Sequence, residues 1–265
     1  MPEHPWELII EAHYRFQSGL FMPRIEVIEP GSLHWHPDPD VSDPDWNHAR
    51  WPTRLGMPTE AWLDRVEARF AEIGRPPVIV APAASENPHD GLKQRGYQLV
   101  FRHRWAFWSG EAEPRVAVPP TVVDTVETDA DLEAFADVFS GAFWEDGEPP
   151  AGPAWRAALA DAQRWRGPEV RIHHVLARYD GEPAGVATLC FGRGRFAGIT
   201  GCYNLGVLPR FRRFGIGRAL QTDRIRWARE DGTRTLFLQT ESAVVEAWNR
   251  RHGWRSGPVV TGWGR

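Results

Sequence analysis

The residues with the clearest chemical consequence lie together in Val207-Leu208-Pro209-Arg210-Phe211-Arg212-Arg213-Phe214-Gly215-Ile216-Gly217. A strand-like apolar run leads into them and a helix-like run follows. Gly215 and Gly217 can take backbone angles closed to other residues and let a ligand approach the main chain. The first amides of the helix have no internal acceptor, and its dipole favours an anion in front of them. Arg212, Arg213 and Arg218 add positive charge around the same point. Together these features make a phosphate cradle.

The spacing Arg-x-x-Gly-x-Gly at 212–217, preceded by Val-x-Pro at 207–209, resembles the acyl-CoA loop of the GNAT superfamily of N-acetyltransferases. The resemblance implies that the amides and arginines of Arg212, Arg213, Phe214, Gly215, Ile216, Gly217 and Arg218 hold the CoA pyrophosphate. It implies that the strand carrying Leu205 and Val207 pairs with the pantetheine arm, and that backbone N–H groups of Leu205–Val207 hold the thioester carbonyl. Acetyl-CoA or another acyl-CoA is then the co-substrate, with no metal.

An amine that attacks a thioester must be neutral, although a lysine-type amine has a pKa near ~10.4. A base must take its proton, and backbone donors must hold the oxyanion. The family's usual acid, a tyrosine five residues before the aromatic of a Gly-aromatic pair, maps by counting back from Trp254 to Asn249. Asparagine cannot supply that proton. The thiolate leaves unaided, another group serves, or catalysis has been lost.

The family's usual base, a strand carboxylate, maps to Tyr203 and Gly201. Strand alternation places Tyr203, Leu205 and Val207 on one face unless a bulge intervenes. Tyr203 is then either a polar partner or an aromatic cleft wall. Glu145, Asp146 and Glu148 follow Phe143-Trp144 in the segment that the resemblance makes the acceptor wall. They form either a cation-attracting wall or a solvated loop. Glu241, at the end of the next strand, is a further candidate, or else a helix N-terminal carboxylate. The catalytic candidates are thus Tyr203, Glu241 and Glu145.

The elements that must position these residues follow in order. Thr121–Val126 reads as a strand, and Asp129–Phe139 as a helix with Leu132, Phe135 and Val138 on one face. Ala154–Arg166 reads as a second helix. Val170–Tyr179 and Ala184–Phe191 read as strands joined at Asp180-Gly181, a hairpin dipeptide. Phe196–Val207 leads into the loop, and Gly217–Glu230 is the helix after it. Thr235–Thr240 reads as a buried strand, Ala243–Arg251 as a helix stopped at Gly253, and Val259–Trp263 as a last strand.

In the first 110 residues, helices near Trp6–Arg15 and Thr59–Ile73 are expected. Strands are expected near Ile25–Glu29, Ser32–His36 and Val78–Val80, then a short helix over Pro88–Arg95 and a strand pair over Gln98–Trp108. Gln94-Arg95-Gly96-Tyr97 parallels Arg251-His252-Gly253-Trp254 and suggests a degenerate second copy. Its counterpart of the loop, Arg54-Leu55-Gly56-Met57-Pro58, has proline where the second glycine belongs, and proline offers no N–H to a phosphate. The expected fold is α/β, an α+β mixed sheet. It comprises a degenerate GNAT-like domain over 1–112 and a GNAT-like catalytic domain over 118–265, joined by a Pro-rich linker.

Composition excludes other classes. The chain has 265 residues, 42% apolar and 25% charged, as ordinary globular proteins do. A net charge of −4 gives no reason to expect nucleic acid or an acidic membrane as partner. Only Cys190 and Cys202 occur, which fits a reducing cytoplasm, and neither a signal peptide nor a membrane span is expected. His34 and His36 would share one strand face, but no third metal ligand is in view.

The expected activity is acyl transfer, acetyl foremost, to a primary amine of a small molecule by direct attack, in a monomer or homodimer. The alternatives are a non-catalytic acyl-CoA sensor, or an acetyltransferase acting on a protein or peptide amine. An aminoacyl-tRNA donor is disfavoured by the acidic net charge.

Overall fold

The computed structural model describes residues 3–18, 24–52, 55, 56, 58–82, 90–110, 121–143, 157 and 167–265. The amino-terminal half contributes α1 (Trp6–Ser18), β1 (Arg24–Ile28), β2 (Gly31–Trp35), β3 (His48–Arg50), α2 (Glu60–Glu72), β4 (Val78–Pro82), α3 (Asp90–Gln94) and β5 (Gln98–Trp108). The carboxy-terminal half contributes β6 (Thr121–Thr125), α4 (Asp129–Phe143), β7 (Val170–Tyr179), β8 (Glu182–Gly192) and β9 (Ile199–Val207). After these come α5 (Ile216–Glu230), β10 (Thr235–Thr240), α6 (Ala243–Arg251) and β11 (Trp254–Gly264).

All eleven strands join one mixed sheet in the order β1-β2-β3-β4-β11-β5-β10-β9-β8-β7-β6. Among the described residues, only β3–β4 and β9–β10 are parallel, each bridged by a crossover helix, α2 or α5. At the centre the halves exchange strands. The carboxy-terminal β11 lies between β4 and β5, and the amino-terminal β5 lies between β10 and β11. The order β4-β11-β5-β10 therefore maps onto itself when the halves are interchanged. The internal repeat read from Gly96-Tyr97 and Gly253-Trp254 is a repeat of topology, since each pair opens one of the two exchanged strands.

Local sequence accounts for the elements around the cleft. Asp180 and Gly181 both adopt positive φ, 49° and 81°, the requirement of a two-residue type I′ turn, and they pair Tyr179 with Glu182. Helix α5 buries Ile216, Leu220, Arg224 and Ala228, an i, i+4 stripe, with Ile225 beside it. Helices α1 and α4 cover the opposite face through Ile9, Ile10, Phe16, Phe135 and Phe139. A Cβ at Gly206 would come within 2.8 Å of Ala142 and Phe143, so this glycine lets α4 settle on β9.

Two expectations change, and a third is not reached. Gln98–Trp108 is one eleven-residue strand, not a pair, because it must span both halves of the seam. The strand at Ser32 ends at Trp35, so His34 and His36 do not share a strand face. The expected helix over 154–166 lies outside the described residues, apart from residue 157.

Candidate functional site

The parallel pair β9–β10 is hydrogen-bonded only from Ile199/Thr235 to Cys202/Leu238. Beyond that point β9 runs on to Val207 and β10 to Thr240 without pairing to each other, so the two strands part. A cleft of about 900 Å³ opens there, running from the start of α5 to the face of α1.

A bulge in β9 shapes the cleft. Pairing with β8 steps from Val186↔Gly206 to Thr188↔Tyr203, one extra residue on β9. Asn204 absorbs it at φ 55°, the left-handed region that asparagine tolerates, and its side-chain amide donates to Thr188 Oγ1 at 3.2 Å. The bulge reverses the alternation. Leu205 and Val207 pack towards Ile216 and Leu220, whereas Tyr203 faces α1 and Phe237. Tyr203 therefore does not share a face with Leu205 and Val207. The free β9 edge carries Leu205–Val207 past the bulge.

At the other end, Gly215 caps α5 at φ 85° with no side-chain cap, and the first turn holds no acidic residue. The amides of Arg218 and Ala219 turn back to the Gly215 carbonyl, which leaves those of Ile216 and Gly217 without an intrahelical acceptor. Helix α2 offers the contrast. The Thr59 hydroxyl accepts from the Trp62 amide, and Glu60 adds negative charge to the first turn. The amino-terminal counterpart thus carries a side-chain cap and a negative charge, neither of which the α5 end has to compete with an anion.

The loop arginines differ in their engagement. Arg212 braces the structure, its guanidinium donating to the Val207 carbonyl at 3.2 Å and the Ala142 carbonyl at 3.0 Å. Arg213, at φ 71°, lines the cleft mouth with Arg218, whose buried Nε has no partner among the described residues. Deeper in, Arg224 is buried on α5 and donates to the Tyr203 carbonyl at 3.4 Å and to the Gln221 side chain. Arg224 Nε and Gln221 Nε2 are also unpartnered.

The opposite wall comes largely from the amino-terminal half. The Tyr203 hydroxyl is hydrogen-bonded to His13 Nδ1 at 2.9 Å. Burial raises the Tyr203 phenol well above its usual value. Burial, reinforced by neighbouring cationic groups, His103 first and Arg50 with it, holds His13 well below the ordinary histidine range. His48, stacked on His34 with ring centres 5.4 Å apart, is pushed down to about 4, chiefly by burial.

Glu241 lies at the rim of the cleft, where His103 Nε2 is 3.1 Å from Glu241 Oε1 and 3.1 Å from Asp45 Oδ2. Burial opposes a charge on His103, but Asp45 and Glu241 outweigh it and push the imidazole up to about 10. Asn249 is buried in the cleft wall on α6. Cys190 and Cys202 are buried with raised thiol pKa values, as core thiols are. Glu145 lies outside the described residues, as do Asp146 and Glu148.

Sequence reading missed His13, Asp45, His48 and His103. They are scattered over the amino-terminal half, and tertiary packing brings them to the cleft, α1 against β9 and β5 beside β10.

Residues 138–254 match the family model described as the acetyltransferase (GNAT) family. No curated protein matches the chain in sequence. Among solved structures, the chain is similar to a GCN5-related N-acetyltransferase from Kribbella flavida. That match has 21% identity over 97% of this chain and 95% of that one, with a TM-score of 0.67. It is also similar to one from Sphaerobacter thermophilus (18% identity, 89% of this chain, 80% of that one, TM-score 0.60). A third is described as a tandem GNAT protein from the clavulanic acid biosynthesis pathway (14%, 89%, 78%, TM-score 0.59). At these identities the likeness is one of fold.

Proposed function

Because residues 138–254 match the model of the acetyltransferase (GNAT) family, we propose that the protein transfers an acyl group, acetyl foremost, from an acyl-CoA to the primary amine of a small molecule by direct attack. The observation that carries this reading is the parting of β9 and β10 beyond Cys202/Leu238, which leaves a free strand edge leading to an open helix N-terminus.

The residues present fit such a donor. The amides of Ile216 and Gly217, with Arg213 and Arg218, would hold the pyrophosphate. The unpaired Leu205–Val207 edge would pair with the amide-bearing pantetheine arm, and the orphaned donors of Gln221 and Arg224 would meet its carbonyl oxygens. The thioester supplies an activated acyl carbon and a thiolate leaving group. A backbone N–H beyond the Asn204 bulge would hold the carbonyl oxygen.

The wall formed by His13, Tyr14, Asp45, Trp46, His48 and His103 supports a small-molecule acceptor over a protein segment, because it covers the side from which an acceptor approaches. The second reading is an acyl-CoA sensor, and one observation favours it: the buried residue at the family's acid position is Asn249.

Calorimetric titration with acetyl-CoA and CoA, followed by a thiol-release assay over mixed primary amines, separates the two. Binding with amine-dependent thiol release is the expected result. Binding without release for acetyl and longer acyl donors supports the sensor. Absence of binding overturns both.

A further inference from the structure

Three charged side chains from the two halves meet at the rim of the cleft. Asp45 precedes β3, His103 lies on β5 and Glu241 follows β10. The His103 imidazole is stacked on Phe101 with ring centres 4.6 Å apart and points Nε2 at both carboxylates. Glu241 is fixed from behind, where its carbonyl accepts from Arg104, and Arg104 in turn pairs with Glu246 at 3.2 Å.

The cluster holds two carboxylates for one imidazolium, one cation short of balance. Asp45 Oδ1 is buried without a partner. So is Nε2 of His48, a side chain 4% exposed that lines the same cleft. An ammonium group, with three donors and one positive charge, supplies what is missing.

We propose that Asp45 and Glu241 bind the ammonium group of the acceptor, and that His103, carried by the amino-terminal half, is the base that deprotonates it. This rests on the N-acyltransferase reading above.

Before an acceptor binds, the two carboxylates keep His103 protonated. A second cation in the same cluster disfavours the imidazolium, and the pair titrates as a coupled unit. His103 then releases its proton past Glu241, whose side chain is 55% exposed. The freed Nε2 takes one proton from R–NH3+. The nitrogen lone pair forms the C–N bond to the acyl carbon, and the C–S bond breaks with its electron pair on sulfur. The surplus N–H proton passes to the thiolate. The products are the amide, the free thiol and one proton shed through His103. Beyond its two partners, the groups facing His103 are His13 and His48, which burial keeps neutral, together with Asp43; Arg104, the next residue of β5, is engaged with the Glu241 carbonyl and Glu246.

The test pairs two nucleophiles, n-butylamine, an ammonium at neutral pH, and hydroxylamine, already neutral there. With acetyl-CoA as donor, His103→Gln is expected to lower the rate with butylamine by about 10²–10⁴-fold near pH 7.5. That rate should recover as pH approaches the amine pKa, while hydroxylamine transfer and acetyl-CoA affinity stay near wild type. Equal loss with both nucleophiles at every pH, or no loss with butylamine, overturns the proposal. Glu241→Gln should raise KM for butylamine more than it lowers kcat, a split that a merely structural role does not produce.

A second readout needs no turnover. The His103 imidazole, followed by NMR, should titrate well above the ordinary histidine range and move down when butylammonium chloride is added. A His103 resonance that ignores butylammonium, or that shifts only with zinc, refutes the site. A wild-type protein that binds acetyl-CoA and acylates no amine, yet shows the butylammonium shift, overturns the enzyme reading and leaves the ammonium site standing.

Discussion

Replacing Gly217 with alanine should separate the fold from the function. Gly217 is the second residue of α5, with no positive φ to require glycine. A Cβ there would meet only Val207 Cγ2 at 3.6 Å and Leu205 Cδ2 at 3.9 Å, ordinary contacts. Alanine is preferred to glycine in a helix by roughly 0.5–1 kcal/mol, and the first turn realises the lower end of that range. The melting temperature should therefore rise by about 1–3 °C for a chain of this size. The same methyl group stands in the gap between β9 and α5, where the donor must pass, and it lifts the phosphate from the amide behind it. A lost charge-assisted hydrogen bond is worth about 1.5–3 kcal/mol, a weakening of acetyl-CoA affinity by ~10–150-fold. Thermal melting by circular dichroism and calorimetric titration with acetyl-CoA read the two effects on one sample. A variant that is more stable yet binds as tightly as wild type would refute the cradle. Gly217→Pro, which removes the amide altogether, should abolish binding.

Thr59→Ala removes the α2 cap and should cost about 1 kcal/mol in denaturant unfolding while leaving acetyl-CoA affinity unchanged. A change in affinity would mean that the two halves do not divide the work as described. Gly206→Val forces side-chain atoms into Ala142 and Phe143 and should destabilise by about 1–3 kcal/mol, measured as a lower urea midpoint at constant m-value. For pH, His13, His34 and His48 have folded pKa values below the unfolded value near 6.5, so the unfolded chain binds more protons below that pH. Their contribution is complete above about pH 6.5 and falls by about 1.4 kcal/mol per pH unit and histidine towards each folded pKa, about 4 for His48. His103 has the opposite sign, contributing fully below pH 6.5 and losing its contribution as pH rises through about 10. Melting curves from pH 4 to 10 should thus show acid loss that is shallower in His48→Gln; an unchanged acid limb would remove His48 from this account.

The sequence disclosed what is local. Gly215 and Gly217 before a helical stripe, and Asp180-Gly181 between two strands, carry their conformations in their residue types, and both stand where they were read. The bulge at Asn204 was half legible, since asparagine tolerates positive φ, but nothing in Cys-Tyr-Asn-Leu-Gly fixes which residue is inserted. The run Gln98–Trp108 reads as a strand pair, yet the polar residues Arg102-His103-Arg104 in its middle do not break β5. In the fold these side chains leave the sheet at the seam, where His103 and Arg104 find Glu241 and Glu246. Asp45 and Glu241, nearly 200 positions apart, meet only because two strands change halves, and no local pattern encodes such a meeting.

That exchange makes assembly a question of timing. Thr261 lies beside Ala81, 180 positions earlier in the chain. As synthesis proceeds, the first half emerges with β4 and β5 complete but with the slot between them vacant, a pair of open strand edges that invites mispairing. It closes only when β11 has been made, and the same event completes the second half. Neither half has a finished state to wait in. A gene cut at the linker would yield two pieces, each needing the other's strand, and they would recover structure only by complementing each other in trans.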